Sequence, residues 1–117
     1  MRKLFFICLA LSLFACEVND GKKGKKPVNL LSEDKMVQIL IDVHILEAYT
    51  NNIVHNQDSA AAMYKVKSGL ILQKAGVTKK DYDASMKYYT TDIVALDKIY
   101  DRVVDSIKVR EIKLEVK

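Results

Sequence analysis

The sequence predicts an all-α protein, a small bundle of three to four helices behind an N-terminal leader and a flexible tether. Three observations carry this. Beyond Pro27 the 117-residue chain has no proline, and its glycines are Gly69 and Gly76. In the same stretch no Asn-Gly or Asp-Gly pair joins alternating runs, so hairpins lack their strongest signal. Apolar residues instead recur at three- and four-residue spacings, the period of a helix with one buried face. The chain is 50% apolar and 29% charged, which suits one folded domain and is too apolar for a disordered tail.

Residues 1–15 read as a signal peptide. Met1-Arg2-Lys3 is a cationic start, and Leu4 to Leu13 is a short apolar run. About ten residues make a helix of about 15 Å, half of what a bilayer core needs. The segment Leu13-Phe14-Ala15-Cys16 resembles the bacterial lipobox, in which a small residue precedes an obligatory cysteine. The resemblance implies a diacylglycerol thioether on Cys16, cleavage before it and acylation of the new amine. Several acyl chains hold a protein on a membrane where one does not. Cys8 then leaves with the leader, and the mature chain keeps no free thiol for a disulfide. Glu17 is not the aspartate that in some bacteria retains a lipoprotein at the inner membrane. The outer membrane is therefore expected, on its periplasmic face, with the cell surface as the alternative.

Residues 16–29 form the lipidated cysteine and tether. From Glu17 to Asn29 there is almost nothing to bury, and thirteen extended residues reach roughly 45 Å. The tether also disposes of a nucleic-acid reading. Of nineteen basic residues, two precede Cys16 and four are Lys22, Lys23, Lys25 and Lys26. From Pro27 onward thirteen basic residues face thirteen acidic ones, leaving no net field for a phosphate backbone. The four lysines can instead lean on anionic headgroups or serve as a solvated spacer.

The helical domain is expected over 30–117. Its first helix opens at Ser32, with Glu33 and Asp34 against the positive helix end, and runs to about Val54. Met36, Leu40 and Val43, with Val37, Ile41, His44 and Ala48, give it a surface wide enough to be buried on more than one side. The second helix has Asp58 as its expected cap. Met63, Val66 and Leu70, with Tyr64, Ile71 and Ala75, mark its buried side, and Gly76 ends it. Gly69 inside it either permits a close helix crossing or is tolerated.

Thr78 and Asp81 approach a capping box for a third helix over Lys79–Tyr89. The fourth runs from Asp92 to Glu115. Tyr82, Met86, Tyr89, Ile93, Leu96, Tyr100, Val103 and Ile107 keep one heptad phase across both, which suits a continuous helix. The pair Thr90-Thr91 argues for a break before Asp92, because hydroxyl residues favour caps over interiors.

These motifs together resemble a family of small Bacteroidota lipoproteins with an uncharacterised helical domain of unknown function. The likeness lies in the lipobox, Met36 to His44, Met63-Tyr64-Lys65, the Gly76-Val77-Thr78 turn, Asp83 to Tyr89 and Lys98 to Val103. Such relatives often carry a proline after the Tyr-Tyr run, where Asp92 stands here. The resemblance implies fold and location and supplies no activity.

Chemical candidates are few. His44 and Glu47 share a helix face, but His55 lies about 16 Å along the axis from His44 and cannot share a metal with it. No metal and no cofactor are expected. Asp97, Asp101 and Asp105 form a carboxylate stripe that is either solvated or a partner surface. In a domain without Phe or Trp, Tyr64, Tyr82, Tyr89 and Tyr100 fall on apolar stripes as core rings, while Tyr49 and Tyr88 are the exposed candidates. No serine, histidine and acid arrangement defines a nucleophile, so no enzyme is expected. Two readings follow. One is a membrane-anchored accessory or structural component of the envelope with a protein partner. The other is a small-ligand module using a pocket around His44, Glu47 and a tyrosine, with Tyr49 and Tyr88 as further contacts.

Overall fold

A computed structural model describes residues 22–115, with helices α1 (Glu33–Ile53), α2 (Gln57–Ala75), α3 (Lys79–Thr91) and α4 (Ile93–Glu115). The expected leader and Cys16 lie outside the described residues. Among those described there is no strand, and no helix is long and apolar enough to cross a membrane.

α1 is the central element and is buried on two sides. Ile39 and Val43 meet Leu72, Ile71 and Ala75 of α2. Met36, Val37, Leu40 and Ile41 meet Tyr89 of α3 and Ala95, Ile99 and Val103 of α4. Ser32 caps it, accepting from the Lys35 N–H at 3.2 Å. Two ion pairs clip α4 to its outer edge, Arg102 to Asp34 at 2.7 Å and Arg110 to Asp42 at 3.7 Å. All four side chains are about half exposed or more, so each pair adds at most about 1 kcal/mol.

α2 departs from expectation at its first turn and in its buried face. Its cap is Asn56, whose side chain accepts from the Ser59 N–H at 3.0 Å, rather than Asp58, which sits inside the first turn. Its buried side is narrower than the pattern suggested. Tyr64, Ile71, Leu72 and Ala75 pack on α1, whereas Val66 and Leu70 are exposed, because only α1 covers this helix along its length. Gly76 closes it with φ 69°, the left-handed conformation that favours glycine. The Val77 N–H then reaches back to the Leu72 carbonyl at 2.9 Å, as a Schellman turn requires. The Lys35 ammonium adds a bond to the Ala75 carbonyl at 3.1 Å, a cation at the negative helix end. Gly69 makes no close crossing, since a Cβ there would meet nothing within 4 Å.

The chain breaks at Asp92. The Thr90 and Thr91 hydroxyls donate back to the Lys87 and Tyr88 carbonyls, each at 2.6 Å, satisfying acceptors that a continuing helix would have used. Asp92 ends α3 and opens α4, its carboxylate accepting from the Ala95 N–H at 3.3 Å. The break shifts the buried face. Ala95, Ile99 and Val103 enter the core, Leu96 and Tyr100 flank it, and Ile93, which the heptad phase had placed inside, is 67% exposed.

The described part of the tether has no helix or strand, yet it lies along α3. The Gly24 N–H donates to the Thr91 hydroxyl at 2.7 Å and Lys23 pairs with Asp92 at 3.0 Å. Asn29 reaches Asp81 at the other end of α3, at 3.3 Å. Asp81 thus looks outward to Asn29, while the Thr78 hydroxyl alone caps α3 by accepting from the Asp81 N–H at 3.1 Å.

This burial pattern makes a discriminating stability test. Ile99→Ala should lower the unfolding free energy by about 2–5 kcal/mol, whereas Ile93→Ala should change it by less than about 0.5 kcal/mol. Urea unfolding followed by circular dichroism reads both, and equal losses would show that the heptad phase survives the break.

Candidate functional site

Three helices bring a polar group together near the middle of the bundle. His44 and Glu47 stand one turn apart on α1, with His44 Nδ1 3.0 Å from Glu47 Oε2. The Tyr64 hydroxyl of α2 donates to the other carboxylate oxygen at 3.5 Å, a long bond. Tyr100 of α4 sets its ring 5.8 Å from the imidazole at 55°. Glu47 therefore bridges the first two helices, and His44 carries the contact to the last. Below this group Thr50 is buried and donates back to the Leu46 carbonyl at 3.0 Å, so its hydroxyl is occupied within α1.

The chemistry open to this group is limited by access. His44 Nε2 is buried and has no hydrogen-bond partner. A general base must come within hydrogen-bond reach of the proton it takes, and a nitrogen closed off from solvent offers no such approach. The described residues place no cysteine or serine hydroxyl in hydrogen-bond contact with either His44 or Glu47. Nor do they contain any group of three His, Cys, Asp or Glu side chains able to hold a metal. His55 lies in the α1–α2 connection and is exposed. The arrangement joins α1 to α2 through Glu47 and Tyr64 and to α4 through His44 and Tyr100.

Two cavities flank the group. One, of about 550 Å³, lies between α1, α2 and α3. Val43, Leu72, Val77 and Tyr82 form its apolar wall, and the Lys79–Asp83 pair, 2.6 Å apart, lies at its edge. Gly69 keeps one side of it open. The second, of about 500 Å³, lies toward the α1–α2 connection and is lined by Glu47, Thr50, Gln57 and Tyr64. Tyr64 borders both, and His44 borders neither. The expected combination of His44, Glu47 and a tyrosine therefore exists as a contact, while the open space lies to either side of it.

The remaining candidates are dispersed. Tyr49 is exposed on α1, where it continues a stripe with Ile45 and Ile53. Tyr88 is half-buried at the far end of α3, edge-on to Tyr89 at 5.7 Å. Asp97, Asp101 and Asp105 are all exposed, while Arg102, on the same helix, turns to Asp34 instead. Sequence reasoning missed Ser85, which is fully buried and accepts from the Leu31 N–H at 3.0 Å. Its only signal was its place one turn before Tyr89 on the buried side of α3.

The tyrosines around the larger cavity are held neutral. Burial, followed by the charge of Glu47, raises the Tyr64 pKa. Burial pushes Tyr82 up to about 12, with Tyr64, Tyr100, Asp83 and Glu47 adding to it. A folded pKa above the unfolded value contributes stability that is complete below pH 10 and is lost as pH rises toward 12. Tyrosinate absorbance should show one phenol titrating near 12 that disappears in Tyr82→Phe, and this variant should lose less stability between pH 10 and 12. A Tyr82 that ionises near 10 would place it in water.

No curated protein and no solved structure matches the chain. The family described as a domain of unknown function (DUF4296) matches residues 27–113, from the foot of the tether through all four helices, and the chain belongs to that family.

Proposed function

We propose that the protein is a lipoprotein anchored through Cys16 whose helical domain works by contact, as a non-enzymatic accessory or structural component of the bacterial envelope. The observation that carries this is the segment Leu13-Phe14-Ala15-Cys16 behind a cationic start and a short apolar run. Outer-membrane placement is supported by Glu17, its periplasmic face by the four lysines that dilute Glu17 and Asp20, and kinship with Bacteroidota lipoproteins by the motifs around His44, Tyr64 and Tyr88-Tyr89. A partner role is supported by Ile45, Tyr49 and Ile53, an exposed apolar stripe four residues apart along α1.

Cys16→Ala should move the protein from the detergent-extracted membrane fraction to the soluble fraction, or leave an uncleaved precursor. Fractionation with immunoblotting checks this, and a variant processed normally that still needs detergent would overturn the reading.

The cavity between α1, α2 and α3 favours a second reading, a small apolar ligand held against Val43, Leu72 and Tyr82. Because a Cβ at position 69 meets nothing within 4 Å, Gly69→Leu should fill space without strain. An apolar fluorescent probe should bind the natural chain and lose most of its signal in this variant, whose melting temperature should be no lower, since leucine favours the helix interior over glycine. Equal signals would leave the cavity as a packing gap.

A further inference from the structure

We propose that the corner where α3 meets α4 is a membrane-docking face, laid against an anionic bilayer with Ile93 and Val94 entering the headgroup region. The inference rests on the anchor at Cys16 and adds the orientation of the domain above it.

The first argument is where the chain arrives. Lys23 is bonded to Asp92 and Gly24 to Thr91, so the segment leading back to Cys16 leaves the domain at this corner. Five residues separate Cys16 from Lys22, a fully extended reach of roughly 20 Å. The corner is thus confined near the bilayer. The other end of α3 lies about 20 Å further along its axis.

The second argument is what the corner exposes. Ile93 and Val94 are adjacent in the first turn of α4 and are 67% and 68% exposed. The break at Asp92 turned Ile93 out of the core, beside Val94. Tyr88 is half-buried and close enough to Lys23 to help raise its pKa, behind the larger effect of Asp92. A tyrosine with an apolar body and a polar tip suits a membrane interface.

The third argument is charge. Lys22, Lys25 and Lys26 are exposed on the tether and Lys87 in the last turns of α3. Asp92 is already paired with Lys23, and Asp97 is a nearby opposing charge. The balance is cationic, although the chain from Pro27 onward is neutral. A cluster of lysines beside an anchor is attracted to anionic lipid and is screened by salt.

The test uses the full-length protein purified from membranes, with its mass reporting whether Cys16 carries lipid. Val94→Cys, labelled with an environment-sensitive fluorophore, is compared with Ala62→Cys on exposed α2 in vesicles of phosphatidylethanolamine and phosphatidylglycerol. Ile93→Cys replaces the first variant should it fold poorly. Lipids bearing a quencher at headgroup depth should quench position 94 several-fold more than position 62. The difference should shrink in 1 M salt and in the triple variant Lys22→Glu, Lys25→Glu, Lys26→Glu. Equal quenching in protein that carries the lipid overturns docking and leaves the anchor standing. Protein without lipid on Cys16 overturns both. A position 94 that cross-links in native envelopes to a stoichiometric protein, and is shielded from lipid, overturns it in favour of a protein partner.

Discussion

The fold depends on how one extended residue is held. Leu31 precedes α1 and runs across α3, where both of its backbone groups are satisfied by side chains. Its N–H donates to Ser85 Oγ at 3.0 Å, and its carbonyl accepts from the Tyr89 hydroxyl at 2.7 Å. Ser85 and Tyr89 are one turn apart and both buried. A buried backbone group without a partner costs about 1–3 kcal/mol, so the two side chains set where α1 can start. Once α1 starts there, Met36, Val37 and Leu40 meet Tyr89 and Ala95, and the principal core closes.

That placement makes α1 the shared wall of two small cores. α2 covers one side with Ile71, Leu72 and Ala75, and α3 and α4 cover the other. The α3–α4 unit needs the break at Asp92 because Tyr89 and Ile99 must both face α1. In the unbroken heptad phase Ile93 and Leu96 would have faced inward. The Thr90 and Thr91 hydroxyls and the Asp92 carboxylate make the break locally inexpensive by satisfying the freed backbone groups. The cavity between α1, α2 and α3 is the counterpart. α2 is held by α1 along its length and meets α3 only near their connection, so space remains where Gly69 offers no side chain.

Much of this was legible because it is local. Ser32, Gly76 and Thr78 are end signals whose partners lie within three or four residues, and all three act as the sequence implies. The break before Asp92 was written in Thr90-Thr91 for the same reason. The two-sided burial of α1 could be read from its wide apolar surface. The exposure of Val66, Leu70 and Ile93 could not, because it depends on which neighbours cover each helix. Within the site, the His44–Glu47 contact follows from their spacing, but the arrival of Tyr64 and Tyr100 depends on helix crossings. Ser85 was the hardest to find. Apart from its place one turn before Tyr89, a helical serine gives no sign that it is buried until its partner, Leu31, is known to lie across it.

The tether was legible in composition, and the way its described part meets the domain bears on the whole molecule. Lysine and glycine at 22–26 bury almost nothing, so no apolar term draws the segment to the domain. Two specific bonds hold it instead. Gly24 can approach because a Cβ there would already stand 3.2 Å from the Thr91 hydroxyl. Lys23 can pair because Asp92 is fixed as a cap. The Lys23 bond, with help from the Ala95 N–H, keeps the Asp92 carboxyl below the usual carboxylate range. Its contribution is therefore complete above the ordinary value of 3.8 and is lost only as pH falls through the depressed one. An ion pair with one partner in solvent is weak by itself, but here it closes a loop of only seven residues, Gly24 to Leu30, onto Leu31, whose position is already fixed, so little chain entropy opposes it. The residues that cap α3 and α4 thereby also determine where the chain leaves the domain. The point at which the chain leaves the domain is consequently a property of the fold, set at Asp92.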